Sequence, residues 1–323
     1  MLKRVMLCTA LSLMVTLSGT AIAQEATPEA TAEMILPCPA GGSPDAVASE
    51  SAPKVLTTFT VLADMARNVS CGLLDVQSVT RIGAEIHGYE PTPSDIARTQ
   101  DADLVLVNGL NLERWFERFM GAVGDVPSVI LTSGIEEIAI AEGPYIDLPN
   151  AHAWMSPRNA LIYVENIRDA FVMLDPTNEA AYTANADAYS QQILQVSDFL
   201  RENLEQVPYE QRFLVSCEGA FSYIIRDYNL QELYMWAINS DQNGSPKQVV
   251  KVIEGVRDNN IPVVFCENTV NPEAMQEVAS QTGARYGGYL YVDSLTEADG
   301  EAPTYLELLR FDATTLVNGL LNQ

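Results

Sequence analysis

The chain has very few histidines: only His87 and His152 occur among its 323 residues. Neither lies in an H-E-x-x-H or H-x-D pairing, so the local signatures of common metalloenzymes are missing. Basic residues are also few, 18 Lys and Arg against 43 Asp and Glu, which gives a net charge of −25. Phosphate backbones bind to basic faces, so nucleic acid is not expected as a partner.

Long apolar runs are missing everywhere except at the amino terminus. There, Lys3 and Arg4 precede an apolar run over 5–19 and a small-residue cleavage site over 21–23. The run is too short for a membrane span and predicts a signal peptide over 1–23. Cleavage would change the net charge from −25 to −27, because the segment holds two basic residues and no acidic one. No cysteine lies at the cleavage point, so we expect an exported protein, periplasmic or extracytoplasmic, that is soluble and carries no lipid anchor.

Four cysteines follow the predicted signal peptide: Cys38, Cys71, Cys217 and Cys266. None has C-x-x-C spacing, so a thiolate zinc site is not expected. Cys217 and Cys266 each end a predicted strand and each precede an acid. If those strands are neighbours, the two Cα atoms fall within disulfide range, and we predict this bond. Whether Cys38 pairs with Cys71 is left open, because Cys38 lies in a segment predicted to be disordered.

Residues 24–53 are rich in Ala, Glu, Thr, Ser and Pro and predict a disordered tether. From Val55 onward, short apolar strands alternate with amphipathic helices, a pattern typical of right-handed βαβ units and parallel sheets. A long helix over 176–207 separates two such series, at 54–175 and 208–323. We therefore predict an α/β fold of two lobes, each with a parallel sheet of about four strands, joined by one long helix.

Four side chains are candidates for a binding site. His87 and His152 lie in loops that precede helices, and Glu218 and Asp293 each follow a strand of the second half. Ligands of open α/β sheets bind at the carboxyl ends of strands, where these residues are expected. Each residue also has an ordinary interpretation: a loop histidine is more often solvent-exposed, and either acid can cap the next helix or turn. A site of two histidines and carboxylates for one divalent metal ion is the sharper hypothesis.

Seven segments of the sequence resemble the cluster 9 metal-binding solute-binding proteins, which serve ABC importers of manganese, zinc or ferrous iron. The resemblance extends from Val55 to the carboxyl terminus, with its motifs in the family's order. The segments are Val55–Asp64, His87–Asp95, Asp101–Gly109, His152–Pro157, Cys217–Phe221, Val292–Leu295 and Thr304–Leu309.

The resemblance implies one metal ion held between the lobes, with His87 and His152 from the first lobe and Glu218 and Asp293 from the second. Zinc-type members usually have a third histidine where this chain has Glu218, and often a His-rich loop after the first ligand; both are missing here. Two imidazoles with two carboxylates form a harder set of ligands, which favours Mn²⁺, then Fe²⁺, over Zn²⁺ as the cargo. Because coordination needs neutral imidazole, we expect binding to weaken as the pH falls to about 6 and below.

Three further residues lie beside the predicted ligands. Glu267 ends a strand and can either support the site or contact the other lobe. Tyr89 and Trp154 flank the two histidines and either shield the ion from water or pack the lobe interface.

The resemblance implies a membrane permease with its cytoplasmic ATPase as partner, and a monomer is expected. Two other classes are the alternatives: a metalloenzyme and an adhesin. An enzyme needs an open coordination position. Here the four expected ligands come from four segments, two in each lobe, so the lobes would enclose the ion. This arrangement favours a protein that captures the metal over an enzyme.

Overall fold

The computed structural model describes residues 38–84, 86–238 and 245–321. The predicted signal peptide over 1–23 and the tether as far as residue 37 lie outside the described residues. Residues 38–53 form turns without a helix or strand, and a disulfide between Cys38 and Cys71 attaches them to the end of the first helix.

The first lobe contains a four-stranded parallel sheet with strand order β2-β1-β3-β4. Its elements, in chain order, are β1 (Lys54–Thr57), α1 (Thr60–Ser70), β2 (Asp75–Ser78), α2 (Pro93–Gln100), β3 (Leu104–Val107), α3 (Phe116–Val123) and β4 (Ser128–Ile130). β3 is apolar and buried along its whole length, as expected for an inner strand covered on both faces.

Helix α2 begins at Pro93, directly after its N-cap residue Thr92. The Thr92 side chain accepts a hydrogen bond from the Asp95 N–H, and the Asp95 carboxylate accepts one from the Thr92 N–H. This capping box satisfies two backbone donors that would otherwise have no partner in the helix. It also fixes where the loop that carries His87 joins the helix.

Two long helices follow the first sheet: α4 (Pro157–Leu174) and α5 (Glu179–Leu204), separated by a single 3₁₀ turn. The 26 residues of α5 span roughly 39 Å at 1.5 Å per residue. α5 packs on α1 in the first lobe and on the last helix of the second lobe, Tyr305–Leu320, so it links the two lobes as the sequence predicts.

The second lobe repeats the strand–helix alternation. Its elements are β5 (Phe213–Glu218), α6 (Ser222–Asp227), β6 (Gln231–Trp236), α7 (Pro246–Asp258), β7 (Val263–Glu267), α8 (Glu273–Thr282), β8 (Arg285–Leu290) and α9 (Tyr305–Leu320). The four strands form two parallel hydrogen-bonded pairs, β5 with β6 and β7 with β8.

A disulfide joins the two strand pairs of the second lobe. Cys217 on β5 and Cys266 on β7 are bonded, with their Cα atoms 4.8 Å apart. Both cysteines face the apolar core that β5 and β7 share with α7 and α8. The next residues along the two strands, Glu218 and Glu267, are the last residues of β5 and β7.

No described helix combines the length and the apolar character that crossing a bilayer requires.

We predict that replacing Cys217 and Cys266 with Ser lowers the free energy of unfolding by about 2–5 kcal/mol, because the bond closes a long loop in the unfolded chain. The measurement is urea denaturation of the metal-free protein. The matched control is the Cys38→Ser, Cys71→Ser pair, which closes 33 residues instead of 49 and is expected to cost less. Equal stability of the Cys217 variant and the wild type would contradict this prediction.

Candidate metal centre

The structure brings the four candidate side chains together between the lobes. Ligand atoms of His87, His152 and Glu218 all lie within 4.8 Å of one another. The Asp293 carboxylate joins them, with its oxygens 3.8 Å from His87 Nε2 and 3.6 Å from His152 Nε2. All four residues are buried, none more than 8% exposed.

The spacing and chemistry of this cluster fit a single metal ion. Two ligand atoms that each lie about 2.1 Å from an ion at a tetrahedral angle are roughly 3.4 Å apart. The separations between Asp293 and the two imidazoles are close to that value. When ionised, two carboxylates balance the charge of a divalent cation, and two neutral imidazoles add none. With a divalent cation bound, the buried cluster would carry little net charge, which avoids the cost of burying an unpaired charge.

His152 is fixed by its neighbour Asn150. The Asn150 Oδ1 accepts a hydrogen bond from the His152 backbone N–H at 3.0 Å and lies 3.2 Å from the ring Nδ1. Since an amide oxygen can only accept, Nδ1 carries the proton and Nε2 presents its lone pair to the cluster. The Trp154 ring packs on the same imidazole, with 5.0 Å between ring centroids.

His87 lies in the loop between β2 and α2. The Trp115 indole donates a hydrogen bond to the carbonyl of Ile86, the preceding residue, at 3.3 Å. The His87 ring is tilted against that of His152, with centroids 5.0 Å apart. The loop is thus held by α3's cap residue on one side and by the second imidazole on the other.

Glu218 is the last residue of β5, and Glu267 is the last residue of β7. Both carboxyl oxygens of Glu267 lie 3.2 Å from the Glu218 backbone N–H, which donates to them. Burial, reinforced by the charge of Glu218, raises the pKa of Glu267 well above its usual range. Burial therefore favours the neutral form of Glu267, and its carboxyl group supports the backbone of Glu218.

Asp293 follows β8, in a segment that the first lobe holds by hydrogen bonds on both sides. Trp154 Nε1 donates to the Val292 carbonyl at 3.0 Å, and the Leu295 N–H donates to Thr60 Oγ1 at 3.2 Å. The Gly83 N–H donates to Ser294 Oγ at 2.7 Å. The position of this second-lobe carboxylate thus depends on contacts with the first lobe.

The remaining predicted residues divide into two groups. Trp154 and Glu267 touch the cluster or its backbone, as described above. Tyr89 instead donates to the Asp95 carboxylate at 2.9 Å and packs its ring against Trp115. Its contacts are those of a packing residue at the start of α2.

Asn150 is a residue that sequence reasoning missed. Its signal is weak: an asparagine two positions before a candidate ligand, in a loop. Only the structure shows that its amide reaches back to the imidazole and across to the second lobe.

Burial changes the titration of both histidines. Burial lowers the pKa of His87 to about 4 against the opposing effect of Asp293, and it lowers the pKa of His152 to about 4 against the opposing effect of Glu218. The ordinary value is 6.5. In the metal-free protein both imidazoles are therefore neutral, and ready to coordinate, over a wider pH range than the sequence suggested.

The fold and the cluster define a class of protein: a two-lobed α/β solute-binding protein that holds a small ligand between its lobes. The chain belongs to the family described as ZnuA, zinc-uptake complex component A, periplasmic, whose family model matches residues 55–319. It is thus a periplasmic, divalent-metal-binding component of an ABC importer, and it is not an enzyme.

Two relatives and one solved structure illustrate the similarity. The iron-binding protein YfeA of Yersinia pestis is 51% identical over 266 residues, which cover 82% of this chain and 86% of that protein. The manganese-binding lipoprotein MntA of Halalkalibacterium halodurans is 34% identical over 267 residues, 83% and 88% of the two chains. The Mn-bound periplasmic metal-binding protein of Candidatus Liberibacter asiaticus superposes with a TM-score of 0.78 at 39% identity, over 83% of this chain and 99% of that one.

The structure changes the pH range in which metal binding is expected to weaken. The sequence-based expectation, weakening near pH 6, assumed histidines with the ordinary pKa, whereas burial lowers both pKa values to about 4 and so shifts the expected weakening to lower pH. We predict that metal affinity falls steeply only below about pH 5, where protons begin to compete for Nε2. The measurement is calorimetric titration of metal across this range, and a loss centred near the ordinary histidine pKa would contradict it.

The same shifts predict how the metal-free protein responds to acid. The folded state favours neutral imidazole, whereas the unfolded state keeps the ordinary pKa, so protons bind preferentially to the unfolded chain. Stability contributed by the two histidines is complete above about pH 6.5 and is lost as the pH falls toward about 4.

Proposed function

We propose that the chain captures one divalent first-row metal ion through His87, His152, Glu218 and Asp293, and delivers it to the permease of an ABC importer. The observation that carries the proposal is the convergence of these four side chains from four segments and two lobes. Enclosure by both lobes favours capture and release over catalysis, because it provides no open position for a substrate.

Mn²⁺ is the proposed cargo. Two carboxylates make the set of ligands harder than the histidine- and thiolate-rich sets that zinc prefers, and a carboxylate that binds through both oxygens raises the coordination number above four. The manganese-binding relative and the Mn-bound solved structure support this choice. Zn²⁺ would still bind tightly by the Irving–Williams order, so the proposal concerns what the protein carries and not what it excludes.

Fe²⁺ is the second candidate cargo, and the specific observation that favours it is the 51% identical relative named as iron-binding. The same two imidazoles and two carboxylates suit ferrous iron, which is adjacent to manganese in the affinity order. The two ions therefore differ little in what this site requires.

The partner is proposed to be a membrane permease with its cytoplasmic ATPase, and the protein is proposed to act as a monomer. The surface that meets the permease must leave a path to the cluster, since His87, Glu218 and Asp293 retain a small exposed fraction whereas His152 has none.

Ligand variants test the site. We expect His87→Ala and Asp293→Ala each to weaken Mn²⁺ binding by at least about 100-fold, because each removes a direct bond to the ion. The matched control is Glu90→Ala, an exposed acid three residues from His87, which should leave the affinity unchanged. Titration calorimetry gives the affinities, and equal effects of the three changes would remove the assignment.

Metal content tests the cargo. Protein purified from its own compartment without chelators should contain about one Mn²⁺ per chain by elemental mass spectrometry. Added in excess, Mn²⁺ should also raise the thermal stability, since an ion at about 1,000 times its dissociation constant stabilises the folded state by about 4 kcal/mol. If the native protein contained only iron, the proposed cargo would be Fe²⁺ instead of Mn²⁺, and the proposed site would be unaffected.

A further inference from the structure

Helix α1 of the first lobe presents two hydrogen-bond acceptors to the second lobe. Thr60 and Asp64 are four residues apart in this helix, so their side chains lie on the same face. Thr60 Oγ1 accepts a hydrogen bond from the Leu295 N–H at 3.2 Å. Asp64 Oδ2 accepts one from the Tyr305 N–H at 2.9 Å. All four residues are buried, none more than 8% exposed, so α1 is bonded twice to the backbone of the other lobe away from water.

The two backbone donors lie where the chain needs acceptors from outside its own helices and strands. Leu295 is in the loop between β8 and α9, and Tyr305 is the first residue of α9. The first N–H groups of a helix have no intrahelical acceptor, and a carboxylate is favoured at that end. Asp64 therefore caps a second-lobe helix from the first lobe. Removal of either α1 acceptor would deprive a buried N–H of its partner, which is costly.

The two bonds fasten both ends of the segment that follows Asp293. Between them, the Thr296 N–H donates to the Ala302 carbonyl at 2.9 Å, so the segment is closed on itself. Leu295, at its start, is two positions after Asp293, and Tyr305 is at its end. A shift of this segment away from α1 would therefore also move the Asp293 backbone.

The backbone on the two sides of this candidate ligand is held by different first-lobe groups. On the amino side, the Trp154 indole donates to the Val292 carbonyl at 3.0 Å. On the carboxyl side, the Leu295 N–H donates to Thr60, whereas the contact of Ser294 with the first lobe is made by its side chain. α1 thus supplies the backbone support that Trp154 does not.

The Asp64 contact does not depend on the charge of the carboxyl group. Burial raises the pKa of Asp64 to about 7, against the lowering effects of the Tyr305 N–H and of Arg67. Near neutral pH both charge states occur, and each keeps an oxygen that can accept from an N–H group. The position therefore requires an acceptor, which an asparagine would also provide.

We propose that Thr60 and Asp64 position Asp293 for metal binding, by holding both ends of the segment 295–305 against α1. Both are positioning residues, since they act through the backbone of the second lobe. The inference rests on the proposed function, because it requires Asp293 to be a ligand. It gives α1 a role in the site: a first-lobe helix sets where a second-lobe carboxylate lies relative to the two imidazoles.

Amide hydrogen exchange in the metal-free protein, followed by NMR, reads the two bonds directly. Thr60→Val should speed the exchange of the Leu295 N–H, and Asp64→Ala should speed that of the Tyr305 N–H, because each donor loses its acceptor. Amides of the buried strand β3 should exchange as in the wild type, which would show that the first lobe stays folded.

Metal affinity supplies the second readout. Thr60→Val and Asp64→Ala should each weaken Mn²⁺ binding by about 10-fold, the low end of the range for groups that hold a ligand from behind. Thr60→Ser and Asp64→Asn keep an acceptor oxygen and should bind as the wild type does. The matched control is Thr99→Val, because Thr99 is also a buried helical threonine but donates to the Asp95 carbonyl within the first lobe. It should leave the affinity unchanged.

A double-mutant cycle separates positioning from a general loss of stability. If Thr60 acts by placing Asp293, then Thr60→Val should weaken Mn²⁺ binding by less than about twofold when Asp293 is already Ala, because coupled residues are not additive. The same is expected of Asp64→Ala in that background. A general effect on the fold would give the same 10-fold loss with and without Asp293, and that result would overturn the positioning role.

The failure of this inference can be told from the failure of the proposed function. If Asp293→Ala keeps full Mn²⁺ affinity, the proposed function is wrong. If Asp293→Ala weakens binding while Thr60→Val and Asp64→Ala leave the affinity unchanged, only the positioning role is wrong. Should Asp64→Ala fail to fold, Thr60→Val alone decides, since valine keeps the shape of threonine and removes only the acceptor.

Discussion

The pairing of two buried carboxylates with two neutral imidazoles is the constraint on which the rest of the structure depends. Charged groups removed from water are costly unless opposite charge or hydrogen bonds replace the lost hydration. Glu218 and Asp293 are almost completely buried, and the imidazoles beside them have their pKa values lowered to about 4. A divalent cation at the centre would supply the missing positive charge, so we expect the cluster to be most stable when it is loaded.

Hydrogen bonds between the lobes keep the four candidate side chains close together. Trp154 of the first lobe holds the backbone beside Asp293, and Asn150 of the first lobe holds His152 while being held by the second. Glu218 is braced within its own lobe by Glu267 and by the disulfide one residue earlier. Asp293, His152 and Glu218 are thus each supported by a group whose own position is fixed by other contacts, as a preorganised site requires.

The sequence predicts much of this architecture because the relevant signals are local. Alternating strands and helices predicted the α/β lobes, and the helix predicted over 176–207 corresponds to α5 and the 3₁₀ turn before it. The sequence did not predict which strands of the second lobe pair by hydrogen bonds. Pairing among β5, β6, β7 and β8 joins residues far apart in the chain and has no local signal. The two strand pairs there replace the continuous sheet of about four strands that the alternation suggested.

The candidate site was also predicted in part from local sequence signals. Four sequence motifs predicted His87, His152, Glu218 and Asp293 as site residues, and the structure places these side chains close together. The role of Asn150 could not be read from the sequence, because it depends on an amide that contacts both lobes. The lowered histidine pKa values were also out of reach, since they result from burial, which a loop position did not predict.

The most direct test of the central claim is an anomalous difference map from crystals of the Mn²⁺-loaded protein, collected at the manganese absorption edge. One peak is expected between the lobes, with His87 Nε2, His152 Nε2 and carboxylate oxygens of Glu218 and Asp293 each at about 2.1–2.3 Å, as for first-row ions bound to nitrogen and oxygen. A peak that lacks any one of these four side chains, or one located elsewhere in the molecule, would contradict the account.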